Sequence, residues 1–244
     1  QPFKVFTPFW RKCVEISAID TSLEEPEIIW TKQIEAASID SLKLLPAHPN
    51  WANSWNTYWQ VGEEAAHKKL TFFSKQLLDE YETDRDVPSL TSTSLLSPHL
   101  HFGEISPRQI YNAVKNLPNS SKFLSELGWR EFSYYHLYHF PQLPELSWRS
   151  EFDNFPWEIN TVYLKKWQQG NTGYPIVDAG MRQLWLTGWM HNRVRMIVAS
   201  FLVKDLFMPW QEGARWFWDT LVDADLASNS ASWQWVAGCG FDAA

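Results

Sequence analysis

One predicted helix carries four side chains that could bind a flat, polar ligand. Trp129, Arg130 and Ser133 follow Glu126 by three, four and seven positions, so all four lie on one side of an α-helix. An indole can stack on a planar ring while a carboxylate and a guanidinium hydrogen-bond to its edge. The same spacing fits an ordinary Glu–Arg pair beside a core tryptophan, and spacing alone favours this simpler interpretation.

A second predicted helix face places Asn192, Arg195, Met196 and Ala199 together. Asparagine offers a donor and an acceptor, arginine a two-pronged donor and methionine a soft apolar contact. This combination suits an aromatic heterocycle with phosphates nearby. Arg193 points elsewhere on the same helix and could contact a backbone phosphate.

Two carboxylates, Asp223 and Asp225, precede a third predicted helix face. They could bind a metal or cap the helix, and capping is the commoner use. No further oxygen ligands follow at EF-hand spacing, so we predict no metal site. The chain also has no G-x-G-x-x-G, Walker, G-x-S-x-G or H-E-x-x-H motif, which leaves the usual dinucleotide, hydrolase and zinc-protease functions without support.

The composition indicates a globular chain of 244 residues with 45% apolar residues and 16 tryptophans, most of which we expect in the core. The net charge of −7 argues against nucleic-acid binding through bulk positive charge. Four cations without a carboxylate in residues 179–204 could still form a local phosphate-binding surface. Without a long apolar run or a signal peptide, and with only two cysteines, we expect a cytoplasmic protein.

Helical periodicity recurs along most of the chain, whereas strand-like alternation is nearly absent. The predicted helices cover about 62–81, 106–115, 120–140, 190–204 and 210–221, and residues 86–94 are predicted as a loop. We therefore predict an all-α fold. Residues 1–60 are predicted to be a linker or extended segment with at most short helices, held to the domain by its aromatic residues, and 61–244 to be the helical catalytic domain.

Four sequence strings resemble the photolyase/cryptochrome family: WREF at 129–132, GYPIVDAGMR at 173–182, GWMHNRVRM at 188–196 and DADL at 223–226. They occur in the family's order and spacing, and the resemblance extends from about Tyr81 to the last residue. It implies a helical domain that binds FAD in a folded conformation. The features resemble class I cyclobutane pyrimidine dimer photolyases most.

The resemblance assigns the FAD-binding positions residue by residue. The phosphates would contact Tyr81 and a hydroxyl-rich loop, Phe123 would contact the flavin, and Arg195 would pair with Asp223 beside the isoalloxazine. Asn229 would lie opposite flavin N5. The full set of cofactor positions is Tyr81, Thr93, Ser94, Leu95, Leu96, Ser97, Phe123, Arg195, Asp223, Ala224, Asp225 and Asn229.

The same resemblance implies a pocket for damaged bases, in which two tryptophans wedge the bases and polar side chains bind their edges. These positions are Glu126, Trp129, Asn192, Met196 and Trp235, with Arg85, Arg130 and Arg193 as candidate phosphate contacts. The family's reduced flavin donates an electron to the dimer after absorbing light. The positions that photoreduce the flavin correspond to Trp157, Trp210 and Trp233.

Two other functions remain open at this point. A cryptochrome-type photoreceptor has the same scaffold, but Asn229 favours repair because plant cryptochromes tend to carry Asp there and animal ones Cys. A second His beside His191, typical of (6-4) photolyases, is absent. A tryptophan-rich binding module without photochemistry is the distant alternative.

The expected partner is DNA containing pyrimidine dimers, bound by a monomer with no membrane association. The family's N-terminal antenna domain has no counterpart in this sequence, so no antenna chromophore is expected on this chain. Relatives also continue past its last residue, and the helical domain is therefore expected to be incomplete at its C-terminal end.

Overall fold

The computed structural model describes residues 2–16, 26–29, 36–44 and 50–243. Within these ranges the chain forms helices, turns and loops without a β-strand, which confirms the all-α prediction. No helix in the described ranges is long and apolar enough to cross a membrane. The predicted 1–60 segment lies partly outside the described residues.

Eleven α-helices carry the fold in the described part of the chain. They are α1 Phe6–Ile16, α2 Glu63–Gln76, α3 Tyr81–Asp84, α4 Ser97–His101, α5 Pro107–Val114, α6 Ser121–His139, α7 Thr161–Gln168, α8 Pro175–Thr187, α9 Asn192–Ser200, α10 Trp210–Thr220 and α11 Leu226–Ala237. Short 3-10 turns lie at Ile39–Leu42, Asn53–Thr57 and Ser150–Asn154, and a π-helical turn, Phe201–Asp205, follows α9.

Local capping explains several helix boundaries. Ser106 Oγ accepts a hydrogen bond from Gln109 N at 3.2 Å, and Gln109 Oε1 accepts one from Ser106 N at 2.7 Å, so α5 begins with a reciprocal capping box. α8 ends at Gly188, whose φ of 70° is left-handed. A Cβ at Gly188 would also lie 2.6 Å from the Trp55 ring, so both backbone conformation and space require glycine there.

The two ends of the predicted 190–204 helix differ from the sequence prediction. α9 begins at Asn192 because His191 caps it, its Nδ1 accepting a hydrogen bond from Arg193 N at 3.2 Å. At its other end the helix widens into the π-helical turn. The helices predicted over 106–115, 120–140 and 210–221 are confirmed by α5, α6 and α10.

Three apolar clusters hold these helices together. The largest cluster joins the five helices α7, α8, α9, α10 and α11. It contains fully buried residues such as Trp167, Met190 and Trp210. A second joins α2, α5 and the first turn of α6 around Phe73 and Ile110. The third joins α1 to α6. Helix α6 also packs against α11. A cleft lies beside this contact, with α6 on one side and α9 and α11 on the other.

The described part of the N-terminal segment contains a longer helix than the sequence predicted. Instead of at most short helices, it contains α1, an 11-residue helix whose Phe6 and Phe9 are buried against Phe132 of α6. This confirms that its aromatic residues anchor it. Further along, Trp59 Nε1 donates to Thr187 O at 2.7 Å. Helix α1 and the segment around Trp59 thus pack on the helical body, whereas residues 26–29 and 36–44 are exposed. The division at residue 60 stays a prediction.

Candidate functional site

The cleft between α6, α9 and α11 has a volume of about 560 Å³, within the range of ligand pockets. It brings together residues that lie up to 160 positions apart in the sequence, from Tyr81 to Phe241. The predicted site residues on its wall are Tyr81, Arg85, Ser94, Leu96, Ser97, Phe123, Glu126, Trp129, Arg130, Asn192, Arg193, Arg195, Met196, Asp223, Asp225 and Trp235. Candidate cofactor positions and candidate base-binding positions therefore share one cavity.

The predicted pair between Arg195 and Asp223 forms at the cleft wall. Arg195 Nη2 donates to Asp223 Oδ2 at 2.9 Å, and Arg195 Nε donates to Met190 O at 2.7 Å, which fixes the guanidinium. The Asp223 side chain is only 2% exposed. Its Oδ1 is buried and has no hydrogen-bond partner among the described residues, although buried polar atoms are nearly always paired. This orphaned acceptor fits a ligand that carries hydroxyl or N–H donors, as FAD does.

Asp225 combines a structural role with a place in the cleft. Its Oδ1 accepts a hydrogen bond from Ser228 N at 2.8 Å and so caps α11, as the commoner use of such carboxylates predicts. Its Oδ2 accepts from the hydroxyl of Tyr134 on α6. Burial, together with this hydrogen bond, raises the pKa of Tyr134 to about 12. Asp225 therefore ties α11 to α6 across the cleft.

The hydroxyl-rich loop before α4 reaches the cleft with Ser94, Leu96 and Ser97. Leu95 has a positive φ of 51°, and Leu96 next to it is right-handed. A change of hand between neighbouring residues turns successive N–H groups toward one side, which is how backbone nests bind anions. The loop is therefore suited to phosphate groups, with Leu95 acting through its backbone.

Tyr81 and Phe123 form an aromatic wall of the same cleft. Their ring centroids are 5.4 Å apart at 88°, and Phe73 packs edge-on to Tyr81 from the apolar core at 5.4 Å. Burial raises the pKa of Tyr81 to about 12, so its hydroxyl remains a neutral donor at physiological pH. Such a wall suits the face of an aromatic ligand.

Ion pairs connect three elements at the rim of the cleft. Arg193 of α9 donates from Nε and Nη2 to the two oxygens of Asp86, at 2.8 and 2.6 Å. This bond lowers the pKa of Asp86 and raises that of Arg193. Arg85 donates to Glu126 on α6, which Lys122 also approaches at 3.7 Å. Two of the three arginines predicted to contact phosphates, Arg85 and Arg193, are thus paired with carboxylates of the chain itself.

The remaining candidate base-binding residues differ in how freely they can meet a ligand. Asn192 is exposed, and its Nδ2 lies 4.0 Å from Met196 Sδ. Arg130 donates to Tyr134 Oη at 3.1 Å and lies over that ring. Trp235 is 38% exposed and donates from Nε1 to Asp242 O at 3.1 Å. Trp129 is partly exposed.

Seven predicted site residues do not line the cleft: Thr93, Leu95, Ala224, Asn229, Trp157, Trp210 and Trp233. Asn229 Nδ2 donates to Ala214 O of α10 at 3.0 Å, so its amide faces that helix in this structure. Trp210 and Trp233 are 1% and 2% exposed in the largest apolar cluster, against which the half-buried Trp157 packs. The three tryptophans thus share one cluster that extends from the core to the surface.

Sequence reasoning missed several titratable residues of the cleft, of which the most deeply buried is His136 of α6. It is 1% exposed, stacks on Phe241 at 3.4 Å and has no hydrogen-bond partner for either ring nitrogen among the described residues. Burial lowers its pKa to about 4. The signal was present, since His136 follows Ser133 by three positions and extends the predicted face of α6 by one turn. Phe241 lies in a turn after α11, where no periodicity could have indicated it.

No group of three or more histidines, cysteines or acidic residues in the described ranges is arranged to hold a metal ion. The acidic residues of the cleft are instead paired with arginines, a tyrosine or a helix N-terminus. The features of the cleft that could bind a ligand are therefore its aromatic walls, its hydroxyl groups and its ion pairs.

Comparison with known proteins identifies the family. The family described as the FAD binding domain of DNA photolyase matches residues 123–244, so the chain belongs to the photolyase/cryptochrome FAD-binding domains. FAD is the cofactor of that domain. A deoxyribodipyrimidine photo-lyase of Agrobacterium fabrum is 48% identical over 99% of this chain and 52% of its own length. Cryptochrome-2 of Arabidopsis thaliana is 38% identical over 98% of this chain and 42% of its own.

A solved structure refines the comparison. The crystal structure of a bacterial class III photolyase from Agrobacterium tumefaciens is 49% identical, with a TM-score of 0.90 over 100% of this chain and 52% of that one. The class I resemblance expected from the sequence is therefore not supported. The chain spans about half the length of these relatives.

Proposed function

We propose that this chain is the catalytic part of a light-driven DNA repair enzyme that splits cyclobutane pyrimidine dimers with FAD. One observation carries the proposal: residues suited to FAD and residues suited to damaged bases line a single cleft. Electron transfer between two groups needs them close together, and one cavity satisfies this requirement. The similarity to photo-lyases over nearly the whole chain supports it.

Each side of the cleft has its own task in this proposal. Arg195 and Asp223 orient the flavin edge, the loop 93–97 and Tyr81 hold the phosphates, and Phe123 contacts a ring face. Asp225 accepts hydrogen bonds from hydroxyls of the cofactor with Oδ2, the oxygen that accepts from Tyr134 Oη in this structure. Ala224 belongs to the same turn. Bound and reduced, FAD supplies the electron that splits the dimer after light is absorbed.

The other side of the cleft would receive the extruded bases. Trp129 and Trp235 stack on them, Glu126 and Asn192 bond their edges, and Met196 provides an apolar contact. Glu126 keeps a second oxygen for this purpose beside the one that Arg85 holds. Arg130 and the two rim arginines, Arg85 and Arg193, contact phosphates.

Three tryptophans and one amide would support photochemistry without touching DNA. Trp157, Trp210 and Trp233 would pass an electron from the surface to the flavin, which their common apolar cluster supports. Asn229 would serve flavin N5 after its amide leaves Ala214 O. We place the protein inside the cell, where its DNA substrate is, and propose a monomer because one chain carries every cleft residue named.

Class III type is the finer assignment that we propose, from the 49% identity and the TM-score of 0.90. A cryptochrome-type photoreceptor is the second candidate, because relatives with that name are 38% identical over nearly the whole chain. The amide at Asn229 and the paired stacking residues Trp129 and Trp235 favour repair.

A light-dependent repair assay tests the proposal. The full chain is reconstituted with FAD, reduced, mixed with an oligonucleotide that contains one thymine dimer, and illuminated with blue light. We expect dimers to disappear only in the light, and Glu126→Ala to weaken dimer binding while flavin absorbance is kept. Flavin binding without repair would favour the photoreceptor, and a chain that takes up no FAD would refute both in favour of a binding module.

A further inference from the structure

Trp129, a proposed base-stacking residue, has one ring face covered by the protein itself. The Phe6 ring of α1 lies parallel to it, with centroids 3.9 Å apart and an interplanar angle of 8°. Phe6 is buried and does not line the cleft, whereas Trp129 does. Phe132 meets the same indole at 75° from another direction. The indole is therefore backed on one face and open toward the cleft.

Helix α1 is held tightly in the position that this stacking requires. A Cβ on Gly128 would lie 2.5 to 2.9 Å from three carbons of the Trp10 ring, so the ring rests directly on the backbone of α6. Phe3 N donates to Tyr135 Oη at 2.9 Å. Because Trp10 and Phe3 contact α6 on both sides of Phe6 along the sequence, α1 cannot slide along α6 without breaking both contacts.

The turn after α11 connects α1 to the second stacking residue. Asp242 Oδ2 accepts a hydrogen bond from Phe6 N at 3.3 Å, at the N-terminus of α1. The first turn of α1 contains no acidic residue, so Asp242 supplies the carboxylate that a helix N-terminus favours. The main-chain oxygen of Asp242 accepts from Trp235 Nε1 at 3.1 Å. One residue thus touches both the helix behind Trp129 and the ring of Trp235.

We infer that α1 is part of the base-binding site, with Phe6 as the positioning residue for Trp129 and Asp242 as the link to Trp235. This inference rests on the proposed function. A base can stack only on the face of Trp129 that Phe6 leaves open. Phe6, stacked on the opposite face, holds the indole in a fixed plane before DNA arrives. Preorganising a side chain in this way lowers the entropic cost of binding, so the effect appears in affinity and not in the chemical step.

Three variants of the FAD-loaded full chain test the inference. Phe6→Leu keeps apolar volume but removes the stacked plane, and Phe6→Tyr restores the plane. Phe9→Leu is the matched control, since Phe9 is buried on the same helix and packs on Phe132 and Tyr135 without a ring contact to Trp129. The measurements are dark affinity for a single-stranded oligonucleotide with one thymine dimer, repair rate at saturating DNA, and bound FAD.

We expect Phe6→Leu to weaken dimer binding about fivefold, the scale of one aromatic stacking contact. Its saturated repair rate and FAD content should match the parent chain. Phe6→Tyr should restore the affinity for dimers. Phe9→Leu should retain the parental affinity even if it loses as much stability as Phe6→Leu. If Phe6→Leu proves too unstable to measure, Asp242→Ala, which frees the N-terminus of α1, should weaken binding in the same direction.

The outcomes separate this inference from the function on which it rests. A parent chain that binds no dimers refutes the proposed function, and the inference falls with it. A parent chain that binds dimers, with Phe6→Leu and Phe9→Leu equally affected, overturns the inference alone, because Phe6 would then be only a packing residue. Unchanged affinity in both Phe6→Leu and Asp242→Ala would overturn it as well.

Discussion

Replacing Gly213 by alanine should disturb the ring of Trp233, one of the three proposed electron-transfer tryptophans. A Cβ at Gly213 would lie 2.6 Å from Trp233 Cζ2 and closer still to Cζ3 and Cη2. The ring cannot retreat easily, since it is 2% exposed and meets Phe217 edge-to-face at 5.0 Å and Trp167 at 6.2 Å. Either the ring or the α10–α11 contact must shift.

Two opposing effects set the size of the change. Alanine favours a helix interior over glycine by about 1 kcal/mol. Overpacking a rigid core costs about 1 to 3 kcal/mol, and three ring carbons inside contact distance put this position at about 3. We therefore expect Gly213→Ala to lower the free energy of unfolding by about 2 kcal/mol.

A double-mutant cycle in urea unfolding checks the cause. Trp233→Phe shortens the side chain at the carbons that the new methyl group would meet. In that background Gly213→Ala should be neutral or stabilising, which gives a coupling energy of at least about 2 kcal/mol. An equal loss in both backgrounds would refute the steric argument. In the single variant we also expect slower photoreduction of bound FAD, since the displaced ring belongs to the proposed electron-transfer tryptophans.

Three further changes test the ion pairs and the buried histidine. Arg195→Met leaves the buried Asp223 carboxylate without its cation and should cost about 3 kcal/mol in urea unfolding; parental stability would contradict this. Asp86→Asn releases the guanidinium of Arg193, so fluorescence anisotropy should show tighter and more salt-dependent binding of single-stranded DNA. An unchanged salt dependence would argue that Asp86 does not compete with DNA phosphates for Arg193. Burial lowers the pKa of His136 from 6.5 to about 4, so the unfolded chain binds the proton more readily and stability should fall as pH drops from 6.5 toward 4. His136→Leu should flatten that pH dependence, and a slope that survives this substitution would assign it to other groups.

Local features of the sequence were enough to predict both ends of α5, α6 and α10. The capping box of Ser106 and Gln109 joins residues three apart, and the left-handed Gly188 ends its helix through its own backbone. Contacts of this range depend on a few dihedral angles. They form in the same way whatever the rest of the chain does, so spacing and residue type predict them.

Part of the candidate site was also present in the sequence. Glu126, Trp129 and Arg130 reach one cleft because α-helical spacing places them on one face. The pairing of Arg195 with Asp223, 28 residues apart, came from the family resemblance and could not come from spacing. His136 could have been found by extending the same face by three residues.

Only the tertiary structure decided which groups meet across the cleft. Asp86 holds Arg193 from 107 positions away, and Asp242 caps α1 from 236 positions away. The segment predicted as a linker supplies Phe6, which covers Trp129. The sequence by itself determined several of the helices and the residues on their faces, since these follow from local periodicity. Which faces meet follows from the simultaneous packing of all the helices, because a contact between distant residues forms only when the elements between them already lie in place.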